Sequence, residues 1–231
     1  FALRNIFLVS AIPGAIAIIV IIFMVKERPV ATYDSGKSPD ILKGGVRDIL
    51  RGKFLIFLFF IGLFSFGVFD ISFVQARGEE IGMSALLVTM LYFVFNGVQP
   101  LLSMPAGKLA DKLGKAKVLI LGYGFFVLSA ILLSNYSLTP VSVFINAFIY
   151  GAYLGIGDAV ARSWVPSFAP KEMRATAYGI YYVVTGVALF AASIIFGALW
   201  QNISLATACS YSLLLSGIGI IGLTAFFIQR K

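Results

Sequence analysis

Histidine is absent from the 231 residues, and cysteine occurs once, at Cys209. A disulfide within the chain is therefore impossible, and metal centres built on His or Cys are nearly excluded. Charge is scarce: 12% of residues are Asp, Glu, Lys or Arg, where about 25% is usual in soluble domains. Acidic residues are scarcest, ten against eighteen basic ones, which leaves a net charge of +8. These shortages exclude a disulfide scaffold, a disordered chain and a coiled coil. Apolar residues fill the space instead, 60% of the chain with 22 Phe among them, where a soluble domain holds about 45–50%. A soluble core of this size needs far less, so the solvent for this chain is lipid.

The chain begins at Phe1 rather than Met and enters an apolar run at once. That run is not a signal peptide: it lacks a separate basic segment, is too long, and has no small-residue cleavage site before Lys26. The expectation is a piece of a longer membrane protein. At about 20 apolar residues per crossing, seven spans are predicted: Asn5–Val25, Phe54–Val74, Ala85–Ala106, Val118–Ser134, Val141–Ser163, Ala175–Trp200 and Leu205–Ile228. Sixteen of the eighteen basic residues then fall on one side, in Lys26–Lys53, Lys108–Lys117, Arg162–Arg174 and Arg230–Lys231. Only Arg4 and Arg77 fall on the other. The positive-inside rule makes the crowded side cytoplasmic, with residue 1 outside and the C-terminus inside a multi-pass cell-membrane protein. The positive charge is thus a topology signal, and nucleic acid is not an expected partner. Trp164 and Trp200 end the fifth and sixth spans and read as lipid-facing interfacial anchors.

Lys26–Lys53 is the only long polar stretch and reads as a cytoplasmic linker, its end Val46–Lys53 able to form a basic amphipathic helix. The other connections are tight, about ten residues around Gly78–Ser84 and six or fewer at Asn135–Pro140 and Gln201–Ser204. The chain therefore divides into a first span (residues 1–25), a linker (26–53) and a six-helix bundle (54–231). Six helices can be two inverted sets of three. In that arrangement the third span matches the sixth, and Gly107-Lys108-Leu109 and Gly197-Ala198-Leu199 stand 90 residues apart at their membrane exits.

The segment Gly107–Lys117 sets Asp111 and two glycines among Lys108, Lys112, Lys115 and Lys117. Gly107 permits close helix approach. Asp111 suits the start of the next helix, and Gly114 a turn with positive φ. A merely basic turn would need neither the acid nor the glycines. This G-x-L-A-D-K-x-G-K-x-K run resembles the signature loop of the major facilitator superfamily, in the slot of its second copy between the eighth and ninth helices. Pro170–Arg174 is similar to that family's P-x-x-x-R-G segment before the eleventh helix, with Ala175 in place of the glycine. Ala177–Leu199, with Tyr178-Gly179 and Gly186, reads like the eleventh helix itself. The resemblance covers essentially the whole chain as the sixth to twelfth helices. It implies an all-α membrane fold: a six-helix bundle of two inverted repeats after one preceding helix. It also implies that the other half of the fold lies earlier in a longer chain.

Charges inside a bilayer cost about 2.5–3.5 kcal/mol each on insertion scales and should face a cavity or a partner. Asp158 and Arg162 stand i, i+4 on the fifth span and read as a structural or gating pair. Asp70, near the outer end of the second span, is the candidate for proton or cation coupling. Asn96, Gln99, Asn146 and Tyr150 are open between interhelical hydrogen bonding and contact with a solute. The gating candidates are Gly107, Asp111, Lys112, Gly114, Lys115, Lys117, Asp158, Arg162 and Arg174, with Asp111 expected to pair with Arg162 or Arg174. The fourth and seventh spans carry no charged or amide side chain in their apolar cores, and the resemblance makes them the peripheral helices.

The function expected is a secondary transporter moving a small solute between two halves of a bundle, with a proton or cation as the candidate coupling partner. No G-x-x-x-x-G-K-[ST] loop is present to drive a pump with nucleotide. A seven-span receptor is the alternative outline, but its last span has no Lys for a retinal Schiff base. A membrane enzyme lacks the usual catalytic sets, and no cofactor or metal is expected. A pure assembly module would not explain one acid set among lysines.

Overall fold

The computed structural model describes residues 52–135 and 139–228. The expected first span, nearly all of the linker and the Arg230–Lys231 tail lie outside the described residues. Six helical segments are long and apolar enough to cross a membrane. In chain order the helices are α1 (Lys53–Phe66), α2 (Ile71–Glu80), α3 (Ala85–Leu113), α4 (Lys115–Leu133), α5 (Pro140–Tyr153), α6 (Ala159–Trp164), α7 (Arg174–Asn202) and α8 (Leu205–Phe227). α1 and α2 together make the second span, and α5 and α6 the fifth.

Local chemistry starts these helices. Ser84, Thr139 and Ser204 cap α3, α5 and α8 with hydroxyls that accept from backbone N–H groups. Thr139 and Ser142 complete a capping box, and Pro140 occupies the first turn, where its missing N–H costs nothing. Gly114, at φ 92°, makes the one-residue break between α3 and α4, as its place in the signature segment predicts.

Three expectations change. The second span is longer than Phe54–Val74 and is not continuous. It runs to Glu80, so the connection to α3 shrinks to Ile81–Ser84, turned by Gly82 at φ 84°. The basic segment after the third span is mostly helix, since α3 continues to Leu113 in spite of Pro100 and Pro105. The fifth span is interrupted by a π-helical turn, Leu154–Asp158.

The packing has an internal symmetry. α1 lies against α7 and α8, while α5 and the π-turn lie against α3 and α4. α4 and α8 meet each other. Exchanging the second span for the fifth, third for sixth and fourth for seventh leaves this pattern unchanged, as two inverted three-helix repeats require. Missing side chains let backbones touch. A Cβ on Gly67 would lie 2.8 Å from Ser216 N and 2.9 Å from Ser212 O, and one on Gly219 would lie 2.8 Å from the Phe64 Cβ. Gly122 and Gly157 face each other so closely that a Cβ on Gly122 would collide with the Gly157 backbone. Gly107, by contrast, has nothing within 4 Å of where a Cβ would stand. The close approach expected there is made by these other glycines.

The fifth and second spans are the most buried, 67% and 56% of their apolar windows; the third, sixth and seventh reach 22% each. The fourth is 44% buried, more than a peripheral helix should be, because Gly122 lets it seat directly on the π-turn. The tryptophans also pack between helices. Trp164 packs on Phe57, Phe168 and Phe227 with ring centroids 5.2, 5.6 and 4.9 Å away. Trp200 packs on Phe73 and Phe196. Each joins neighbouring helices, and both are half-buried.

Candidate functional site

Both interruptions occur after 14 residues of regular helix, in α1 and in α5. The first ends at Asp70, the second at Asp158. At 1.5 Å per residue, each aspartate stands about 26 Å along its span from opposite ends of the bundle. The two interruptions therefore overlap in depth, and they meet at a cavity.

Non-helical backbone deep in a membrane protein must be satisfied by protein. At the first break, Gly67 N bonds to Phe64 O at 2.9 Å and Val68 N to Ser65 O at 3.1 Å. Two carbonyls are left to side chains. Tyr211 donates its hydroxyl to Phe66 O at 2.6 Å, and the buried Tyr150 donates to Phe69 O at 2.9 Å. Asp70 then caps α2, accepting from Ser72 N at 2.9 Å. The expected coupling residue is thus also the residue that restarts the helix.

The cavity has two lobes. One, of about 240 Å³, is lined by Asp70, Asp158, Phe69, Phe95, Tyr150 and Tyr153, with Leu189 and Ser193 from α7. The other, of about 250 Å³, is lined by Tyr123, Tyr153, Asp158, Arg162, Tyr181 and Thr185 among others. Tyr153, Asp158 and Leu189 belong to both. Arg162 holds Asp158 at 2.9 Å, the i, i+4 pair expected, with 39% and 32% of the two side chains exposed. Beneath the pair, the phenol of Tyr178 donates to Arg162 O at 3.1 Å, and Tyr123 stacks flat on Phe64 with ring centroids 3.5 Å apart.

The remaining candidates separate cleanly. Asn146 is 1% exposed and makes a closed pair with Ser129: the Ser129 hydroxyl lies 2.5 Å from its carbonyl oxygen, and its amide donates to Ser129 O at 3.2 Å. It joins α4 to α5 and does not line the cavity, so the interhelical reading holds. Asn96 is exposed on α3 and donates to Tyr92 O of its own helix. Gln99 is half-buried, and its backbone carbonyl, not its amide, meets the fifth span at Gly155.

At the basic end, Lys115 reaches from the signature segment to Ser163 O at 2.8 Å and Ser167 Oγ at 3.2 Å. It therefore places a cation on a carbonyl at the end of α6, where the helix dipole favours positive charge. Asp111 sits exposed in the last turn of α3 rather than at the start of α4, without an ion-pair partner among the described residues. The expected Asp111–Arg162 pair is not formed in this conformation, where Arg162 is engaged by Asp158.

The family model that matches residues 55–231 is that of the Major Facilitator Superfamily. The chain belongs to the major facilitator superfamily. The two most informative relatives carry the same family name. An uncharacterized MFS-type transporter of Methanocaldococcus jannaschii is 26% identical over 207 residues, 87% of this chain and 50% of that protein. The MFS transporter asaE of Aspergillus flavus is 27% identical over 184 residues, 77% of this chain and 40% of that protein. The chain spans half or less of the length of these superfamily relatives.

The two interruptions are the part of the site that reading the sequence missed. A signal for them exists. Gly67-Val68-Phe69-Asp70 and Gly155-Ile156-Gly157-Asp158 are both Gly-x-x-Asp, and they recur 88 residues apart.

Proposed function

We propose that the chain is the C-terminal half of a secondary transporter, carrying a small solute by alternating access without nucleotide. One observation carries this reading: the broken second span and the π-interrupted fifth place Asp70 and Asp158 in one cavity. Discontinuous helices meeting at a mid-membrane site are the usual construction of such transporters. The apolar faces of α3 (Met90, Phe93, Leu101, Met104) and α7 (Val183, Val187, Phe190, Ile194) stay exposed. They are the surfaces against which an N-terminal half, joined through residues 26–53, would close the cavity.

In this reading the lysine-rich end is cytoplasmic and residue 1 lies outside. Asp70 takes up a coupling proton or cation. The gate at the basic end consists of Asp111 with Arg174, while Lys112, Lys115, Lys117, Gly107 and Gly114 set its geometry. The test uses the full-length chain with one spin label at Lys112 and another on the lysine-rich end of the other half. Two interconverting distance populations support alternating access, and a single population under every ion gradient defeats it.

A further inference from the structure

We propose that the cavity between Asp70 and Arg162 binds a monovalent organic cation, an amine or quaternary ammonium on an apolar or aromatic body. This rests on the transport reading above and gives it a substrate class.

Charge comes first. Two carboxylates and one guanidinium line the two lobes, and no other Lys or Arg among the described residues does so. Arg162 is bound to Asp158. The Asp70 carboxylate has one polar contact among the described residues, Ser72 N. The lining that the described residues contribute is thus one negative charge in excess, which matches a single positive charge on the solute.

Unpartnered polar groups come second. Tyr123, Tyr153 and Tyr181 are 3%, 6% and 3% exposed as whole residues, while their hydroxyls make no protein hydrogen bond among the described residues and stay accessible. All three line the Asp158 lobe. Three hydroxyls that open on one lobe without protein partners leave their hydrogen bonds free for whatever occupies it. Around them the walls are rings: Phe69, Phe95, Tyr150 and Tyr153 beside Asp70. Ring faces attract cations, most strongly where water is excluded.

An inorganic cation fits worse. Among the described residues no group of three or more His, Cys, Asp or Glu side chains could hold a metal ion. The walls offer aromatic faces where a metal would need a shell of oxygens.

The test is saturation binding of radiolabelled tetraphenylphosphonium to the full-length protein in lipid nanodiscs. Benzyltrimethylammonium and its uncharged carbon isostere, neopentylbenzene, serve as competitors. Saturable binding is expected, displaced by benzyltrimethylammonium and not by neopentylbenzene. Asp70→Asn keeps the helix cap, since Asn caps as well as Asp, and should weaken binding about tenfold through loss of the charge. Tyr153→Phe should weaken it about threefold to tenfold, the share of one hydrogen bond. Absence of saturable binding, equal displacement by neopentylbenzene, or unchanged binding in Asp70→Asn each overturns the inference. The spin-label distances separate the two claims. Two populations without cation binding leave the transport reading standing and remove this one. Cation binding with one immobile population does the reverse.

Discussion

Tyr150→Phe removes one oxygen and leaves a ring of the same shape. The ring lies 5.5 Å from Tyr153, 6.0 Å from Phe69, 6.3 Å from Phe95 and 6.5 Å from Phe126, centroid to centroid, so packing survives the change. What is lost is the 2.9 Å hydrogen bond to Phe69 O. A buried carbonyl left without a donor costs about 1–3 kcal/mol, whereas interhelical hydrogen bonds in membrane proteins average about 0.6 kcal/mol because the reference state finds other partners. Here the upper range applies. Phe69 is 0% exposed, and its carbonyl lies inside a helix break, where no intrahelical donor can shift to replace the phenol.

The assay is amide hydrogen exchange across Gly67–Asp70 in the purified full-length protein. A loss of about 1–3 kcal/mol corresponds to exchange about 5- to 150-fold faster if the segment opens locally. Tyr211→Phe should have a smaller effect, since Tyr211 and Phe66 are only half-buried and the segment there is less tightly enclosed than at Phe69. The double variant should exceed either single one, because the two bonds close one four-residue segment. Unchanged exchange in Tyr150→Phe, with the fold intact, would show that the phenol is incidental and that glycine packing alone holds the break.

Three further outcomes follow from the same geometry. Gly122→Ala should destabilise by about 1–3 kcal/mol or more, the range for overpacking, because its methyl would enter the Gly157 backbone; Gly124→Ala, with open space around it, is the neutral control in a thermal-unfolding comparison. Lys115→Met should lower stability by about 0.3–1 kcal/mol through the lost cap on Ser163 O, while Lys112→Met, exposed and not hydrogen-bonded to α6, should stay within about 0.5 kcal/mol. Asp111→Asn should leave the melting temperature unchanged and move the spin-label populations toward the state open at the lysine-rich end, by about 1–3 kcal/mol; identical populations would reduce the segment to a topology device.

Helix number and class were legible because lipid imposes a blunt requirement: about 20 apolar residues for each crossing. The six spans of the bundle start within a few residues of where composition put them, while the second and third run on to Glu80 and Leu113, past the apolar residues that marked them. The Asp158–Arg162 pair was legible because i, i+4 spacing is geometry within one helix. Asn146 was not, because Ser129 lies 17 residues away and which amide finds a partner depends on how α4 and α5 rotate against each other. The packing of the tryptophans was hidden for a related reason. An aromatic at a span end suits both the interface and an interhelical gap, and only the neighbours Phe57, Phe227 and Phe73 decide between them.

The interruptions escaped because Phe64–Asp70 and Tyr153–Asp158 keep the hydropathy of helix while losing its hydrogen bonds. Their meaning emerges only when the repeats are superposed. The Gly of each Gly-x-x-Asp serves a contact: Gly67 admits the α8 backbone, and Gly155 admits Gln99 O, 2.6 Å from where its Cβ would be. The Asp closes each interruption and turns toward the shared cavity. A glycine that brings a neighbouring helix close enough to disturb the ladder, followed three residues later by an acid, yields a break with a charge at its end. Two copies in inverted repeats run toward each other from opposite ends of the bundle, so their acids line one space without lying close in sequence. The excess negative charge of that space follows from an asymmetry between the copies. Arg162 stands one turn beyond Asp158, and the equivalent place one turn beyond Asp70 is Val74, which is fully buried. Replacing Val74 by Arg would bury a second cation and disrupt packing, so the Asp70 copy is kept uncompensated by the core around it, and its charge remains available to whatever enters the cavity.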